Sequence, residues 1–497
     1  MERSCRTASS GLREGDALPK AAVKRRHLLL GGAAVASGAA ALALWPRHPA
    51  ESAAPRPSQA AVRRPNFIVI LADDVGWGEI GAYGQRKITT PRIDRMAAEG
   101  LMFTQAYASS PVCAPDRASL FTGLHSGHTA VRRNPPRHGD LPLGADPTFA
   151  SVLTGLGYRT GLFGKWGFGP ESDGPDHPLS HGFTDFFGYL THHAAHDYYP
   201  ARLWDGRRSV PLDGNEGDEG DLYGPDVIMD RAMGFLRDAA SSPFLLMLTP
   251  TLPHAPSTIP DLGAYADKEW SGPDKAHAAQ VSLLDTYAGR VIDTVAELGL
   301  ADDTVIVFTS DNGPHEEKGV DPDFFAAAGP FRGYKRSLYE GGIRIPFVAW
   351  SPRLLAATAG QRSTASIAHY DLLPTLADLA GAPVPPGLDG MSMRPALTGQ
   401  GALPERPYLY WARVHAGSTR RQRALEHGRG RDAAAAVRFG RWKAIGFAPA
   451  ENYTPPGPGW RYELYDLDTD PSESHDVSGR YPELVRRAKG YMRESWR

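Results

Sequence analysis

The sequence predicts an α/β fold: a large, mostly parallel central sheet sandwiched by helices, followed by a small C-terminal antiparallel sheet with a helix. Four short runs carry most of that expectation: Asn66–Leu71, Tyr158–Phe163, Pro243–Leu248 and Thr304–Phe308. They are rich in Val, Ile, Leu and Phe, as strands buried on both faces are. Helical stretches at 91–100, 225–239 and 278–298 interleave with them, and that alternation argues for parallel strands with helices on both faces. Near the end of the chain, 437–447 and 461–467 read as a pair of hairpin strands before a closing helix over 482–496.

Taken from the N-terminus, residues 1–45 read as an address. Lys24, Arg25 and Arg26 precede a weakly apolar, Gly/Ala-rich run from Leu30 to Trp45. Adjacent arginines before a modest apolar stretch resemble a twin-arginine export signal, so a periplasmic or secreted protein is expected. A retained anchor is the competing reading, although about 16 apolar residues are marginal for a hydrocarbon core of roughly 30 Å. Residues 46–63 are Ala/Pro/Arg-rich and read as a linker. The catalytic domain is expected over 64–400 and a smaller α+β unit over 401–497, introduced by Pro404–Pro407. A net charge of −2 with 22% charged residues gives no bulk electrostatic case for nucleic acid.

Cysteine usage narrows the chemistry. Of the two cysteines, Cys5 lies in the export segment, so an exported protein keeps Cys113 alone and forms no internal disulfide. Such a thiol is either a small buried hydrophobe or a chemically converted residue. In open α/β sheets ligands bind beyond the carboxyl ends of the strands. Here those ends carry Asp73, Asp74, Lys165, His254, Asp311 and Asn312. Three carboxylates and an amide carbonyl are hard oxygen donors that suit calcium or magnesium, whereas zinc recruits His or Cys. Each acidic pair is, taken singly, also a common turn.

Cys113, Pro115 and Arg117 stand in a Cys-x-Pro-x-Arg pattern that runs on to Thr122 and Gly123. Pro115 suits a first helical position and Gly123 a helix stop. Cys113 then stands at a helix N-terminus, where backbone N–H groups favour an anion, with Arg117 one turn along the same face. A cysteine-phosphatase loop needs its arginine six positions after the cysteine; Ser119 occupies that place, so that chemistry is excluded.

At these residues the sequence resembles the type I, formylglycine-dependent sulfatases of the alkaline phosphatase superfamily, in which Cys-x-Pro-x-Arg marks the cysteine for oxidation to formylglycine (3-oxoalanine). The resemblance covers nearly everything after the linker, with Ala72–Gly76, Thr89–Asp94, Gly164–Trp166, Pro253–Pro256, Ser310–Gly313, Gly333–Lys335, Glu340–Pro346 and Glu463–Leu467 in family order. It implies an arylsulfatase-like enzyme releasing inorganic sulfate from an aryl or carbohydrate sulfate ester. It implies one calcium, with magnesium second, on Asp73, Asp74, Asp311 and Asn312, the converted Cys113 completing the shell. Arg117 would brace the formylglycine hydrate, while Lys165, His254 and Lys335 would grip sulfate or the leaving oxygen. A formylglycine-generating maturation enzyme and the twin-arginine export machinery are the implied partners.

One position departs from the family. A histidine often stands two residues after the lysine, where this chain has Gly167. The base for sulfate release is then sought among His193, His196, His125, His128 and His315, and His196 is also a candidate substrate contact. Loops over 167–225 and 405–436 are expected to set the substrate. The second contains Arg420, Arg421, Arg423, Arg429 and Arg431, which read as a solvated loop or as a contact for a polyanion. Two alternatives stay open: a phosphonate or phosphodiester hydrolase on the same scaffold, and an inactive binding homologue.

Overall fold

The computed structural model describes residues 64–497 apart from 137–140, 217–218, 415–416 and 451–452. The expected export segment and most of the linker therefore lie outside the described residues. Ten strands form the large sheet: β1 (Asn66–Ala72), β2 (Leu101–Tyr107), β3 (Arg159–Lys165), β4 (Asp185–Tyr189), β5 (Arg202–Asp205), β6 (Arg208–Pro211), β7 (Phe244–Thr249), β8 (Thr304–Ser310), β9 (Arg344–Trp350) and β10 (Gln361–Ala368). Their spatial order is β10-β2-β9-β8-β1-β7-β3-β4-β5-β6. The central strands β8, β1, β7, β3 and β4 run parallel, while β9 lies antiparallel between β8 and β2. The four apolar runs read from sequence are the core of this sheet.

Alternate residues of β1 show how the layers arise. Ile68, Ile70 and Ala72 face one cluster with α1 (Pro91–Glu99), α4 (Gly224–Ala239) and α5 (Gly272–Glu297). Phe67, Val69 and Leu71 face the other, with α2 (Cys113–Thr122), α3 (Phe149–Thr154) and α7 (Leu372–Ala380). A strand with period-two side chains and no polar face requires cover on both sides.

Further helices are α6 (Glu340–Ile343), α8 (Arg394–Thr398), α9 (Arg420–Leu425) and α10 (Pro482–Glu494). A second sheet, β11 (Leu409–Arg413), β12 (Ala434–Phe439), β13 (Trp442–Phe447) and β14 (Arg461–Asp466), is antiparallel throughout. The run 437–447, expected as one strand, is itself the turn and most of the β12–β13 hairpin; the expected second strand is β14, which pairs with β13, and β11 is an added edge strand. One face of this sheet packs on Tyr107, Leu338 and Tyr339, and the other on α10 through Ala488 and Met492. Among the described residues no helix is long and apolar enough to cross a membrane.

The tightest joint in the parallel sheet is Gly164. It has φ +119°, and a Cβ there would come within 2.0 Å of the Thr249 carbonyl oxygen on β7. Gly157 also has positive φ (+84°), but a Cβ there meets nothing within 4 Å. Gly157→Ala is expected to cost about 1 kcal/mol of backbone strain, whereas Gly164→Ala adds a backbone clash and costs about 3 kcal/mol or more. Urea unfolding midpoints of the two variants would read the difference, and equal losses would contradict it.

Candidate active site

The parallel register delivers the acids. Ala72 pairs with Ser310, so Asp73 and Asp311 leave adjacent strands side by side, with Asp311 N–H donating to the Ala72 carbonyl (3.1 Å). Asp74 turns back at φ +78°, a left-handed conformation that costs a non-glycine residue about 1 kcal/mol or more. Its own N–H donates to Asp311 Oδ1 (3.1 Å), and the next N–H, of Val75, donates to Ser310 Oγ (2.8 Å). Lys165 is the last residue of β3, and His254 lies in the loop after β7.

Cys113 begins α2, so Pro115 occupies its third position rather than the first. That placement is still free of conflict, because no N–H is required there. The helix ends at Gly123 with φ +72°, as expected. Its free first-turn N–H of Ala114 donates to Asn134 Oδ1 (3.0 Å). Every residue of α2 is buried, which pins Cys113 against the strand ends: its Sγ lies 3.5 Å from Asp73 Oδ1 and 3.9 Å from Asp74 Oδ1.

Three cations answer three carboxylates. Lys165 Nζ sits 2.7 Å from Asp73 Oδ2, and Lys335 Nζ 2.7 Å from Asp74 Oδ2. Arg117 bridges, donating from Nε to Asp311 Oδ2 (3.0 Å), from Nη2 to Asp73 Oδ2 (3.3 Å) and from Nη1 to the Lys165 carbonyl (3.2 Å). Asn312 Nδ2 donates to Asp74 Oδ1 (2.7 Å), while Asn312 Oδ1 is buried with no hydrogen-bond partner. His254 donates from Nδ1 to the Ala255 carbonyl (2.5 Å), leaving Nε2 to accept from Lys335 Nζ (3.0 Å).

The balance is uneven. Burial opposes ionisation of Asp73, but Lys165 and then Arg117 hold its carboxyl well below the ordinary range. Lys335 overcomes burial in the same way at Asp74. Asp311 is left short: burial and then Asp73 push it up to about 8. Burial, with Asp311 second, pushes the Cys113 thiol well above its usual value, so the unmodified sulfur is a poor nucleophile at neutral pH. Burial and then Lys335 keep His254 neutral.

The structure thus assembles Asp73, Asp74, Cys113, Arg117, Lys165, His254, Asp311, Asn312 and Lys335 in one place. His196 joins them, its ring stacked 4.0 Å from His254. The remaining histidines have other partners. His125 and His128 sit with Asp389 beyond the other end of α2. His315 uses both ring nitrogens, on the Pro253 carbonyl (3.1 Å) and the Glu317 N–H (3.2 Å). His193 is exposed and bonds the Pro136 carbonyl (3.2 Å).

Two neighbours escaped the sequence reading. Glu317, 3.8 Å from Lys335, has no motif around it; buried His192 was masked by the more conspicuous His193 and His196. The arginine-rich segment is a solvated loop only in part: Arg420 and Arg431 are exposed. Part of it folds as α9, with Arg421 paired to Asp321 (3.0 Å), Arg423 bonded to Ser418 and Arg429 to Glu463.

Comparison with known proteins finds sulfatases. The sulfatase family profile matches residues 65–382, and the profile described as N-sulphoglucosamine sulphohydrolase, C-terminal, matches 331–490. Human (Homo sapiens) arylsulfatase A is 32% identical over 467 residues, covering 86% of this chain and 87% of that protein. Human N-acetylgalactosamine-6-sulfatase is 34% identical over 386 residues, covering 72% and 69%. The crystal structure of Ps i-CgsB, also solved in complex with k-i-k-neocarrahexaose, superposes with a TM-score of 0.72 at 28% identity over 87% of this chain and 93% of that one.

A divalent cation bound through Asp311 would compete with a proton on its carboxyl. Below about pH 8 the folded protein holds that proton, so cation affinity is expected to fall about tenfold per pH unit from pH 8 to pH 6, one proton being released on binding. In the cation-free protein the same group weakens folding as pH rises from about 4 towards 8, because the folded chain binds more protons there than the unfolded one. Calorimetric titration of chelator-treated protein with calcium at several pH values would test this. An affinity flat across that window would exclude Asp311 as a ligand.

Proposed function

The chain belongs to the sulfatase family of sulfuric ester hydrolases, and on that premise we propose that its nucleophile is Cys113 oxidised to formylglycine. The carrying observation is the setting of that cysteine: buried, protonated, and facing the Oδ1 atoms of Asp73 and Asp74. A thiol kept protonated there has little use of its own, whereas an oxygen at the same place completes an oxygen-donor set.

The residues also fit calcium. Lys165 and Lys335 occupy the Oδ2 atoms of Asp73 and Asp74 and leave the Oδ1 atoms towards residue 113. Asn312 Oδ1 is a buried acceptor without a donor, and Asp311 is a carboxylate short of positive charge. Asp73, Asp74, Asp311 and Asn312 would hold the ion, and hard oxygen donors of this kind suit calcium better than zinc. The ion supplies Lewis-acid stabilisation of charge on oxygen. A formylglycine hydrate supplies an oxygen nucleophile and a second hydroxyl through which the ester to the enzyme can later collapse.

The protein's own residues do the rest. Arg117, locked by Asp311, Asp73 and the Lys165 carbonyl, fixes the orientation of the carboxylates and adds charge beside residue 113. Lys165, paired with Asp73, and Lys335, paired with Asp74, offer N–H donors to sulfuryl oxygens. His254 is held as the Nδ1–H tautomer by Ala255, so the leaving oxygen takes its proton from the Lys335–His254 pair, with Lys335 as the source. His196, stacked on His254, lies where it can touch the group beyond the sulfate.

The substrate is an aryl or carbohydrate sulfate, a class supported by arylsulfatase A, by N-acetylgalactosamine-6-sulfatase and by the carbohydrate-bound Ps i-CgsB. Export through the twin-arginine route, after a maturation enzyme has converted Cys113, is supported by the Lys24–Arg26 segment and its apolar run.

Matured protein is expected to yield a peptide containing residue 113 that is about 18 Da lighter than the cysteine form, the change from thiol to aldehyde. Cys113→Ala should abolish release of sulfate from a chromogenic aryl sulfate. Lys335→Ala should lower kcat/KM by about 10²- to 10³-fold by removing a donor to the developing charge. Sustained turnover by protein shown by mass to retain the thiol would defeat the reading.

A further inference from the structure

One ring nitrogen of a buried imidazole near Lys165 has no structural employment. His192 is 5% exposed, and its buried Nδ1 has no hydrogen-bond partner. A buried polar nitrogen left in that state costs roughly 1–3 kcal/mol, so its retention calls for a ligand or a reacting group. It follows β4 where that strand's end lies against the end of β3. Lys165 pairs with Tyr189, Trp166 N–H donates to the Tyr189 carbonyl (2.9 Å) and Gly167 N–H to the Leu190 carbonyl (2.9 Å). At Gly167 a Cβ would meet only Lys165, at 3.9 Å from Cγ and 4.0 Å from Cε. The glycine places no side chain against that flank of the lysine, and the segment that continues from the neighbouring strand carries His192.

The other imidazoles are committed elsewhere. Both nitrogens of His254 and of His315 are hydrogen-bonded. His196 also has a free buried Nε2, but its ring is stacked on His254 with centroids 4.0 Å apart, the position in which it would touch the substrate. The groups that bear on His192 are Lys165 from β3, His196 from the turn over Ala194–His196 (ring centroids 4.9 Å apart), Asp73 from β1 and His254 from the loop after β7. Burial and then Lys165 hold it well below the usual imidazole range, so it is a neutral acceptor.

We infer that His192 is the base that releases sulfate from the enzyme, the task for which Gly167 leaves no side chain. The inference rests on the formylglycine reading of residue 113. After sulfuryl transfer, the remaining hydroxyl on the side-chain carbon of residue 113 gives its proton to His192. The electron pair of that O–H bond becomes the second bond of a carbonyl. The bond from the same carbon to the sulfated oxygen breaks, and inorganic sulfate leaves with its electron pair. His192 passes the proton to solvent, and water adds back to the carbonyl.

The test uses matured, calcium-loaded enzyme and the variants His192→Ala and His192→Gln, the second nearly isosteric should the first fail to fold. With a chromogenic aryl sulfate the first equivalent of phenol should appear as fast as in the wild type. The steady state should then fall by about 10²- to 10⁴-fold, the usual worth of a positioned base. Acid-quenched variant should retain one SO₃ unit on the peptide carrying residue 113, about 80 Da over the formylglycine hydrate and about 98 Da over the aldehyde, and added imidazole should speed the slow phase of His192→Ala. Equal slowing of both phases without the mass gain, or wild-type turnover, would overturn the assignment. An unmodified thiol in active wild type would remove the formylglycine reading and this inference with it.

Discussion

Asp73, Asp74 and Asp311 are buried together at the ends of two adjacent strands, and nearly everything around them answers that concentration of negative charge. Buried ions without partners cost several kcal/mol each, so the fold must supply cations at the same depth. Arg117 comes from α2, Lys165 from β3 and Lys335 from the loop before α6, each buried to within a few per cent. The charge balance therefore ties together segments that are far apart in sequence. It also leaves a deliberate deficit. Arg117 alone serves Asp311 while also reaching Asp73, so one carboxyl stays poised to welcome a further positive charge.

Part of the local strain lies at the same centre. Asp74, Thr251 and Arg336 all have positive φ, at +78°, +63° and +80°, and all adjoin or belong to the site. Such conformations cost about 1–3 kcal/mol each and persist where surrounding bonds over-determine them. Asp74 is held by Asp311 Oδ1. Arg336 N–H donates to the Pro111 carbonyl (2.7 Å), and the Arg336 carbonyl accepts from Arg413 Nη1 (3.0 Å). The bond to Pro111 joins the segment carrying Lys335 to the turn that introduces Cys113.

The second sheet has its part in this. Arg413 on β11 pairs with Glu426 (2.8 Å), and Glu426 accepts from Ser337 (2.9 Å), two residues past Lys335. Glu340, at the start of α6, accepts from Lys443 of β13 (2.9 Å) and from Tyr107 of β2 (2.7 Å). These buried contacts seat the lysine loop between the two sheets. The C-terminal strands position chemistry although none of their residues enters it.

Much of this was legible in the linear chain. Runs such as Asn66–Leu71 and Thr304–Phe308 announce doubly buried strands because they lack a polar face, and the placement of ligands at strand ends follows from α/β topology. The Cys-x-Pro-x-Arg pattern and the acidic pairs determined the donor chemistry, since residue type and short-range spacing are local properties. Hidden from that reading were the antiparallel β9 inside the sheet, the seating of Pro115 at the third helical position, and the sorting of the histidines. His128 was sent to Asp389 and His315 to backbone partners, while His192 was left with an unpartnered ring nitrogen. Only the tertiary structure decided these, because the partner of an imidazole nitrogen is set by strand order and register, which bring together residues that no spacing in the sequence connects.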